Sequence, residues 1–491
     1  MAFQAQPAYV IPDNYLSKSN RLRIIHVGAG ASGLLCAYKA RKMLDNYDLV
    51  CYEKNPEVGG TWWENTYPGC ACDIPAHIYT YSFEPNPEWS GFYAYSDEIQ
   101  SYFVRFYEKY KLQQFVRLQT TVISATWDDD RGQYSVELEK SDGTKFTDWC
   151  HVLINGSGVV NKWKWPAIDG LSKFEGKLAH SAHWDNTIDW IGKRVALIGT
   201  GSSSIQMAPH LAEGSTSLTV FARNCTWISP PIAPDSQKIE PGSEAPATAS
   251  KHHYIEAEKN RFRQDKSLFL DYRKNLESEV ARMFPLYLRG SDLNIAAKKN
   301  MKSSMETKLG PGREQLKAKM IPNWSPGCRR LTPGEGYLES LILPHFETIH
   351  DEIVKITPKG IMTATGREVE IDIIACATGF HVSYTPHFKI QGRDGAIMKN
   401  EWSKAPNIYL SIASPKFPNY FVMNGPRGNW AQGCALPSLE IQIEYALQCC
   451  KKLQDDGIKS MEVMQEPTTQ LNDHIDLWHN NFSVFAEDCR R

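Results

Sequence analysis

The chain contains two glycine-rich loops, and each loop follows an apolar strand-like segment and precedes a helix-like segment. The first loop carries Gly28, Gly30 and Gly33, and the second carries Gly199 and Gly201. Glycine permits the tight turn and the close backbone approach that a pyrophosphate needs when it binds at a helix N-terminus. The sequence therefore predicts two dinucleotide-binding units, each built on a parallel sheet, within one α/β chain.

The residue that ends the second strand of each unit has the opposite charge in the two copies. Glu53 comes 20 residues after Gly33, and Arg223 comes 22 residues after Gly201. A carboxylate accepts hydrogen bonds from a free ribose diol and repels a 2′-phosphate, whereas an arginine binds that phosphate through two parallel hydrogen bonds. Ser204 replaces the third glycine of the second loop and is small enough to fit there. We therefore expect FAD in the first unit and NADPH in the second.

The overall composition favours a protein whose partners are small molecules. With 54 basic and 56 acidic residues the formal net charge is −2, which gives no long-range attraction to nucleic acid or to acidic membranes. No apolar run is long enough to span a bilayer, and residues 1–20 lack the charged start and apolar core of a secretory signal. We expect a cytoplasmic protein, monomeric or weakly oligomeric, without nucleic-acid or membrane partners.

The 12 cysteines are scattered along a chain that is too long to need disulfide bonds for stability. Cys70 and Cys72 are separated by one residue, and Cys449 and Cys450 are adjacent. Neither pair has the spacing of a dithiol reductase or a zinc ribbon. The sequence therefore predicts free structural thiols and no metal site.

The order of the segments predicts a discontinuous first domain. The fold class is α/β, with two Rossmann-like dinucleotide-binding domains, the NADP domain inserted in the FAD domain, and a helical insertion. We assign residues 1–155 and 381–491 to the FAD domain, 165–228 and 325–380 to the NADP domain, and 229–324 to the helical insertion. The insertion begins with a Pro- and Ser-rich loop at 229–250, and its helices are expected to pack over the second unit with a solvated charged face.

The segment FEGKLAHSAHWD lies between the two units. By itself, a histidine and a tryptophan in such a linker are most often packing residues. The complete pattern FxGxxxHxxxWD, however, resembles the fingerprint of the type I Baeyer–Villiger monooxygenases at every fixed position. These positions are Phe174, Gly176, His180, Trp184 and Asp185.

Three other segments resemble the same family in the correct order, and the resemblance extends from about Arg23 to Ala446. GGTWWENTYPGCACD matches a second family pattern, DIIACATGF matches a third, and PGCRRL contains a basic pair. The matching positions are Gly60, Trp62, Tyr67, Pro68, Gly69 and Asp73 in the first segment, Asp372, Thr378, Gly379 and Phe380 in the second, and Arg329 and Arg330 in the third.

The resemblance implies an FAD- and NADPH-dependent monooxygenase that inserts one oxygen atom of dioxygen beside a ketone carbonyl, through a flavin peroxyanion, to give an ester or lactone. Such an anion needs a fixed cation that does not give up its proton, and arginine meets this need because its pKa stays far above neutrality. By resemblance Arg330 is this catalytic cation, and Asp73 orients it through a carboxylate–guanidinium pair. The competing interpretation is an ordinary ion pair between the two units.

The resemblance also implies the residues that contact each cofactor. For FAD they are Gly28, Gly30, Ser32, Gly33, Glu53, Lys54, Gly60, Thr61, Trp62, Asp73, Tyr79, Val122, Ala435 and Leu436. For NADP they are Gly199, Thr200, Gly201, Ser202, Ser203, Gln206, Arg223 and Arg329, of which the two arginines hold the 2′-phosphate. His180 and Trp184 are expected to couple the arrangement of the domains to the position of the cofactor rather than to transfer protons.

Two departures from the family pattern leave alternatives open. Many relatives have an arginine at the position of Ala71, and they usually continue beyond the position of Arg491 with a segment on the substrate side. From the first departure we expect a different local charge near the flavin. From the second we expect a wider or more open pocket, or reduced activity, with some release of peroxide instead of oxygen insertion. The alternatives are a flavin-dependent N- or S-oxygenase, a poorly coupled NADPH oxidase, and a cofactor-binding protein without turnover. The sequence does not identify the ketone.

Overall fold

The computed structural model describes residues 19–230, 252–382, 384–428 and 433–489. The Pro- and Ser-rich loop predicted at 229–250 lies outside these ranges except for its first two residues. In the described part, the strands are β1 (Leu22–Val27), β2 (Tyr47–Tyr52), β3 (Val116–Arg117), β4 (Thr120–Asp128), β5 (Gln133–Lys140), β6 (Lys145–Cys150), β7 (Val152–Asn155), β8 (Lys177–His180), β9 (Arg194–Ile198), β10 (Ser217–Phe221), β11 (Ile228–Ser229), β12 (Thr332–Pro333), β13 (Phe346–Ile349), β14 (Ile353–Thr357), β15 (Gly360–Thr363), β16 (Glu368–Glu370), β17 (Ile373–Cys376), β18 (Lys389–Gln391) and β19 (Tyr420–Val422).

The helices connect these strands or pack on the sheets that they form. In the same ranges they are α1 (Ala31–Met43), α2 (Thr61–Glu64), α3 (Ser96–Lys109), α4 (Ser202–Ala212), α5 (Glu256–Gln264), α6 (Lys266–Ala281), α7 (Asp292–Leu309), α8 (Glu314–Met320), α9 (Tyr337–Ser340), α10 (Met398–Glu401), α11 (Ala435–Asp455) and α12 (Gln465–Phe482). No helix of this set is both long enough and apolar enough to cross a membrane.

The first sheet is parallel and has the strand order β19-β7-β1-β2-β3. Its central strands are apolar on both faces, as expected for a parallel sheet that is covered on both sides. Helices α1, α3 and α11 pack on one face, and a second sheet of order β18-β4-β5-β6 packs on the other. The first glycine-rich loop joins β1 to α1 and therefore lies at the carboxyl edge of this sheet.

A second parallel sheet has the order β13-β10-β9-β17-β8. All its strands lie between β7 and β19 in the chain, so this unit is inserted between two parts of the first unit. The second glycine-rich loop joins β9 to α4. The predicted α/β fold with two Rossmann-like units, one inserted in the other, is confirmed.

The helical segment does not pack as predicted. Helices α7 and α8 do cover the second sheet, through Met301, Met305 and Met320. Helices α5 and α6 instead pack on the core of the first unit, through aromatic residues such as Phe262 and Phe269. The prediction that the whole insertion covers the second unit is therefore wrong for its first half. Helical periodicity shows that a helix has an apolar face but does not show which unit that face contacts.

The charges of this segment are not all on a solvated face, because Arg273 on α6 is only 6% exposed. Its Nε donates to the carbonyl oxygen of His77 at 2.9 Å, and its Nη2 donates to Thr80 Oγ1 at 3.2 Å. A buried cation is tolerated only when its donors are satisfied in this way. Arg273 therefore fastens α6 to residues 77–80, a stretch that contains Tyr79, which lines the candidate site.

Two fully buried histidines make stability depend on pH. Burial lowers the pKa of His26 to about 4 and that of His77 to about 3. Between these values and the ordinary pKa near 6.5, the unfolded chain binds more protons than the folded chain. The contribution of each neutral histidine to the free energy of unfolding is thus complete above about pH 6.5. As pH falls below this value, the free energy of unfolding decreases by up to ~1.4 kcal/mol per pH unit for each histidine.

We expect the replacement His77→Phe to make the free energy of unfolding less dependent on pH. The new ring stays in the aromatic surroundings of His77 but cannot take a proton. Urea unfolding of both proteins at pH 7, 6 and 5 measures the effect. The free energy of unfolding should fall more steeply in the wild type, by about 1 kcal/mol per pH unit. Parallel pH profiles would contradict the assignment of a neutral, buried His77.

Candidate functional site

A long cleft opens at the carboxyl edge of the first sheet and is lined by most of the residues predicted to contact FAD. These are Gly28, Gly30, Ser32, Glu53, Lys54, Gly60, Thr61, Trp62, Tyr79, Val122, Ala435 and Leu436. Gly33 does not line the cleft but allows α1 to pack on β1, since a Cβ there would lie 2.2 Å from the carbonyl oxygen of Gly28. Asp73 also lies outside the lining.

Two helix N-termini face this cleft without a side-chain cap. Helix α1 begins after Gly30 and α11 begins after Cys434, and neither has an acidic residue in its first turn. Free N–H groups and the helix dipole at such ends favour a bound anion. Gly30 and Gly60 approach so closely that a Cβ on Gly30 would lie 3.5 Å from the Gly60 Cα. These features fit the pyrophosphate of a dinucleotide.

The carboxylate of Glu53 is held at the end of β2. Its Oε2 accepts from the backbone N–H of Ala29 at 2.7 Å, and its Oε1 accepts from that of Asn55 at 2.9 Å. Burial raises the pKa of Glu53, and these two hydrogen bonds oppose that rise. The side chain is therefore fixed beside the first glycine loop, where the ribose of a dinucleotide binds.

Several residues of the cleft were not predicted from the sequence. The turn that contains Gly156 and Gly158 follows β7 directly, and its glycines are a visible signal for close backbone approach. Asn161, His387 and Asn424 also line the cleft. They lie in irregular segments far apart in sequence, so no local pattern identifies them.

The second glycine loop has the geometry of a nucleotide-binding turn. Gly199 has φ +120°, and a Cβ there would lie 2.5 Å from the carbonyl oxygen of Ala377. Gly201 precedes α4, whose first turn has no side-chain cap and no acidic residue. Ser204 is fully buried, and its Oγ donates to the Gly199 carbonyl at 2.7 Å. The serine therefore fills the position of the third glycine and fastens the turn with a hydrogen bond.

The other side chains predicted around this loop are engaged in different ways. Thr200 Oγ1 donates to the carbonyl of Asn224 at 2.6 Å, and the Ser202 hydroxyl bonds that of Thr332 at 2.7 Å. Ser203 lies in the first turn of α4.

The side-chain amide of Gln206 is hydrogen-bonded to the first unit. It donates to the Ala71 carbonyl at 2.9 Å and accepts from the Tyr67 hydroxyl at 2.7 Å. Gln206 thus joins the two units.

Arg223 lies at the carboxyl end of β10, is exposed, and has no acidic partner among the described residues. The guanidinium of Arg329 lies over the ring of Trp324 at 5.8 Å. Burial raises the pKa of the Cys225 thiol, and the charge of Arg329 partly offsets this rise. The parallel pairing of β11 with β12, in which Ile228 lies opposite Thr332, brings the segments that carry Arg223 and Arg329 to the same side of the second unit.

Arg330 and Asp73, which lie 257 residues apart, form a bidentate ion pair. Arg330 Nε donates to Asp73 Oδ2 at 2.6 Å, and its Nη2 donates to Oδ1 at 2.7 Å. Desolvation alone would lower the pKa of Arg330, but the hydrogen bonds and the charge of Asp73 outweigh it and raise the pKa. The side chain of Arg330 is 49% exposed, so this cation is fixed in place while part of it still faces solvent.

The pair lies near the flavin cleft but does not line it, since Asp73 precedes the lining residue Tyr79 by six positions. Burial raises the pKa of Tyr79, and the charge of Asp73 makes a small contribution to the same rise. The ion-pair interpretation and the catalytic interpretation both require this geometry, but only the second requires that the cation border a cofactor cleft. The arrangement can stabilise negative charge that develops on an oxygen atom there.

The fingerprint histidine is a neutral hydrogen-bonding residue. His180 ends β8, and its Nδ1 accepts from the backbone N–H of Ala182 at 3.1 Å, so the proton is on Nε2, which lies 3.1 Å from Thr378 Oγ1. Burial, with a smaller contribution from His183, lowers the pKa of His180 to about 4. Trp163 stacks on both rings, at 4.6 Å from His180 and 5.6 Å from His183. This linker tryptophan was not predicted.

The other fingerprint residues have structural contacts. A Cβ on Gly176 would lie 2.6 Å from the ring of Phe174, so the glycine makes room for that ring. Trp184 is buried in the core of the second unit, and Asp185 is exposed and accepts from the N–H of Thr187 at 2.9 Å.

The third motif lies at both ends of β17. Its Asp372 pairs with Arg194 at 2.8 Å at the end of β17 opposite to Thr378. His180 and Thr378 thus meet at the linker, where the backbone of Phe380 also pairs with that of Trp163.

One prediction about cysteines is wrong. Cys328 and Cys489 form a disulfide bond with a Cα–Cα distance of 6.3 Å, although 161 residues separate them. Cys70, Cys72, Cys449 and Cys450 are free, as predicted. The pair has no local spacing pattern, because the fold brings the end of the chain against the loop that precedes Arg329. Neither the length of the chain nor the spacing of its cysteines therefore indicates this bond.

Comparisons with known proteins show the family and the fold to which this chain is similar. A family model described as flavin-binding monooxygenase-like matches residues 21–236. The FAD-binding monooxygenase tazF of Aspergillus terreus is 40% identical over 455 residues, covering 92% of this chain and 79% of that protein. A Baeyer-Villiger monooxygenase of Pseudomonas aeruginosa is 31% identical over 455 residues, covering 92% and 81%. The solved structure of oxidized steroid monooxygenase bound to NADP has a TM-score of 0.80 at 24% identity, covering 95% of this chain and 92% of that one.

Proposed function

Because this chain belongs to the flavin-binding monooxygenases and is related to proteins named Baeyer–Villiger monooxygenases, we propose that it inserts one oxygen atom of dioxygen next to a ketone carbonyl. It is an NADPH-dependent flavin monooxygenase, with FAD and NADPH as cofactors. The product of the proposed reaction is an ester or a lactone. The observation that carries the proposal is the bidentate pair of Arg330 and Asp73 beside the flavin cleft.

The residues of the cleft fit FAD. The uncapped N-termini of α1 and α11 supply N–H groups to the pyrophosphate, and Glu53 supplies a fixed acceptor to the ribose. When bound, FAD accepts hydride from NADPH and activates dioxygen. The protein contributes binding, orientation and charge, as is general for cofactor enzymes.

Arg330 provides the charge that favours ketone oxygenation. Attack on a carbonyl carbon requires an electron-rich oxygen, and it leaves a negative charge on the former carbonyl oxygen of the substrate. A guanidinium stabilises both, and its raised pKa prevents it from donating its proton to either. Oxygenation of a soft nitrogen or sulfur atom needs an electrophilic, protonated oxygen instead, which a fixed cation does not favour. Asp73 holds the guanidinium plane in one orientation.

The second unit fits NADPH rather than NADH. Arg223 is exposed without an acidic partner in the described ranges, and the pairing of β11 with β12 brings the segment of Arg329 to the same side of the second unit. Two guanidinium groups match the charge of a 2′-phosphate and can bind it through parallel hydrogen bonds. We propose that these two arginines determine the preference for the phosphorylated cofactor.

A product assay tests the proposed function. Protein loaded with FAD is incubated with NADPH and, in separate reactions, with a linear, a cyclic and an aryl ketone and with a thioether. We expect an ester or lactone from at least one ketone, with less than stoichiometric hydrogen peroxide. Sulfoxide as the sole organic product would support the N- or S-oxygenase alternative. Peroxide as the sole product with every ketone would support an uncoupled NADPH oxidase.

A further inference from the structure

Two of the three arginines of the proposed site, Arg329 and Arg330, lie on one short loop, residues 325–330, which is part of the connection between α8 and β12 and is termed the arginine loop. Arg330 is held by Asp73, and Arg329 lies over Trp324. Apart from these end contacts, the loop has little regular secondary structure to fix it. Its position therefore depends on what packs against its first residues, where Asn294 Nδ2 on α7 donates to the Pro326 carbonyl at 2.9 Å.

A segment at the end of the described chain, residues 483–489, covers that part of the loop and is termed the tether. The carboxylate of Glu487 accepts two hydrogen bonds from one residue of the loop: its Oε2 accepts from the backbone N–H of Ser325 at 2.9 Å and its Oε1 from the Ser325 hydroxyl at 2.7 Å. The disulfide between Cys489 and Cys328 adds a covalent tie two residues before Arg330.

Apolar contacts complete the tether. Val484 is fully buried against Leu286 and Tyr287, and the ring of Phe485 stacks on Tyr287 at 5.9 Å. Gly327 fits closely against the same ring, because a Cβ there would lie 2.9 Å from Tyr287 Cδ1. The tether, the tyrosine and the arginine loop are therefore packed as one unit.

We propose that the tether positions the arginine loop for catalysis, with Glu487 as the positioning residue and the Cys328–Cys489 bond as a covalent reinforcement. This inference rests on the proposed roles of Arg329 and Arg330. A displacement of about 1 Å in a catalytic group is enough to reduce a rate by about 10²-fold. Ties on both sides of the loop, at Asp73 and at Glu487, restrict such displacements.

Movement of the arginine loop should change two measurable quantities, because Arg329 is proposed to bind the 2′-phosphate of NADPH and Arg330 is proposed to act on the reacting oxygen. Loosening the loop moves Arg329 away from the 2′-phosphate, so the KM for NADPH rises while the KM for NADH, which lacks that phosphate, does not. Loosening it also moves Arg330, so the ratio of ester to hydrogen peroxide falls. A purely structural role of Glu487 would lower the melting temperature and the flavin content, and it would raise both KM values together.

The test uses the full chain loaded with FAD. For Glu487→Ala we expect a rise of about 10-fold in the KM for NADPH, an unchanged KM for NADH, and a clear fall in the ratio of ester to peroxide. Glu487→Gln keeps an acceptor for Ser325 and should recover most of the loss. Glu466→Ala, which removes an exposed carboxylate on α12, is the matched control and should have no effect.

The covalent tie is tested with a dithiol. The reductant transfers two electrons and two protons to the Cys328–Cys489 bond, which opens to two thiols while the reductant closes to a cyclic disulfide. In the wild type, reduction should shift both readouts in the same direction as Glu487→Ala. In Cys489→Ser, the same treatment should cause no further change, which excludes effects of the dithiol elsewhere.

Hydrogen–deuterium exchange of the peptide that contains residues 325–330 tests the tether independently of catalysis. Exchange should be faster in the double variant Glu487→Ala, Cys489→Ser than in the wild type. Faster exchange without any ester from the wild type would contradict the proposed function but not the tether. The tether proposal would be overturned if the double variant exchanged at the wild-type rate and its KM for NADPH, relative to its KM for NADH, were also unchanged.

Discussion

Replacement of Arg330 by alanine is expected to eliminate ester formation almost completely while NADPH still reduces the bound flavin. Removal of a single preorganised donor from an oxyanion site lowers kcat by roughly 10²–10³-fold, and here a full charge is lost as well. We therefore expect a decrease of about 10³-fold in the rate of ester formation. For each NADPH oxidised to NADP+, about one hydrogen peroxide should be formed from dioxygen, because the activated oxygen is no longer directed to the carbonyl.

Arg367 offers a matched control for this replacement. It forms a bidentate pair with Glu347 and is 52% exposed, close to the 49% of Arg330, but it lies on the second unit away from the cleft. Such a surface pair contributes about 0–1 kcal/mol to stability, so Arg367→Ala should leave ester formation unchanged. Arg330→Lys keeps the positive charge but lacks the parallel N–H donors of the guanidinium, so it should retain part of the activity. Ester formation at the wild-type rate in Arg330→Ala would refute the role of this cation.

The second large effect is expected at Arg223. An arginine that binds a phosphate contributes about 2–3 kcal/mol through charge-assisted hydrogen bonds, so Arg223→Ala should raise the KM for NADPH by roughly 30–150-fold. The KM for NADH should change little, because that cofactor has no 2′-phosphate. Since the interaction is the same in the ground state and in the transition state, kcat should stay near its original value.

Steady-state kinetics with both cofactors measure this effect, with flavin content as the check on folding. Arg223→Lys retains a point charge and should lose only part of the preference for NADPH. An equal rise in the KM for NADPH and NADH would indicate a general disturbance of the second unit. An unchanged KM for NADPH would show that the phosphate binds elsewhere.

The two nucleotide-binding units could be predicted from the sequence because their signals are local. A glycine loop, the strand before it and the helix after it fall within a few residues of one another, and the charge of Glu53 or Arg223 follows at a fixed interval. The pair of Asp73 and Arg330 spans 257 residues, and no spacing rule predicts it. It was predicted only because two motifs of one family occur in the same chain.

The features that were missed depend on tertiary packing. The aromatic faces of α5 and α6 are visible as a pattern, but the pattern does not indicate that they contact the first unit. Trp163 lies in an irregular linker, and its stacking on His180 and His183 follows from how the two units are joined. Cys328 meets Cys489 because residues 483–489 cross the arginine loop. Each of these contacts joins segments that are far apart in sequence, so no local sequence pattern predicts it.

The central claim is that a fixed cation beside the flavin cleft directs one atom of dioxygen into a ketone. The most direct measurement is turnover of a cyclic ketone by the FAD-loaded protein with NADPH under ¹⁸O-labelled dioxygen, followed by mass spectrometry of the product. We predict a lactone that carries one labelled atom, in the ring position, and loss of this product in Arg330→Ala. Labelled hydrogen peroxide without labelled lactone in the wild type, or labelled lactone from Arg330→Ala at the wild-type rate, would contradict the account.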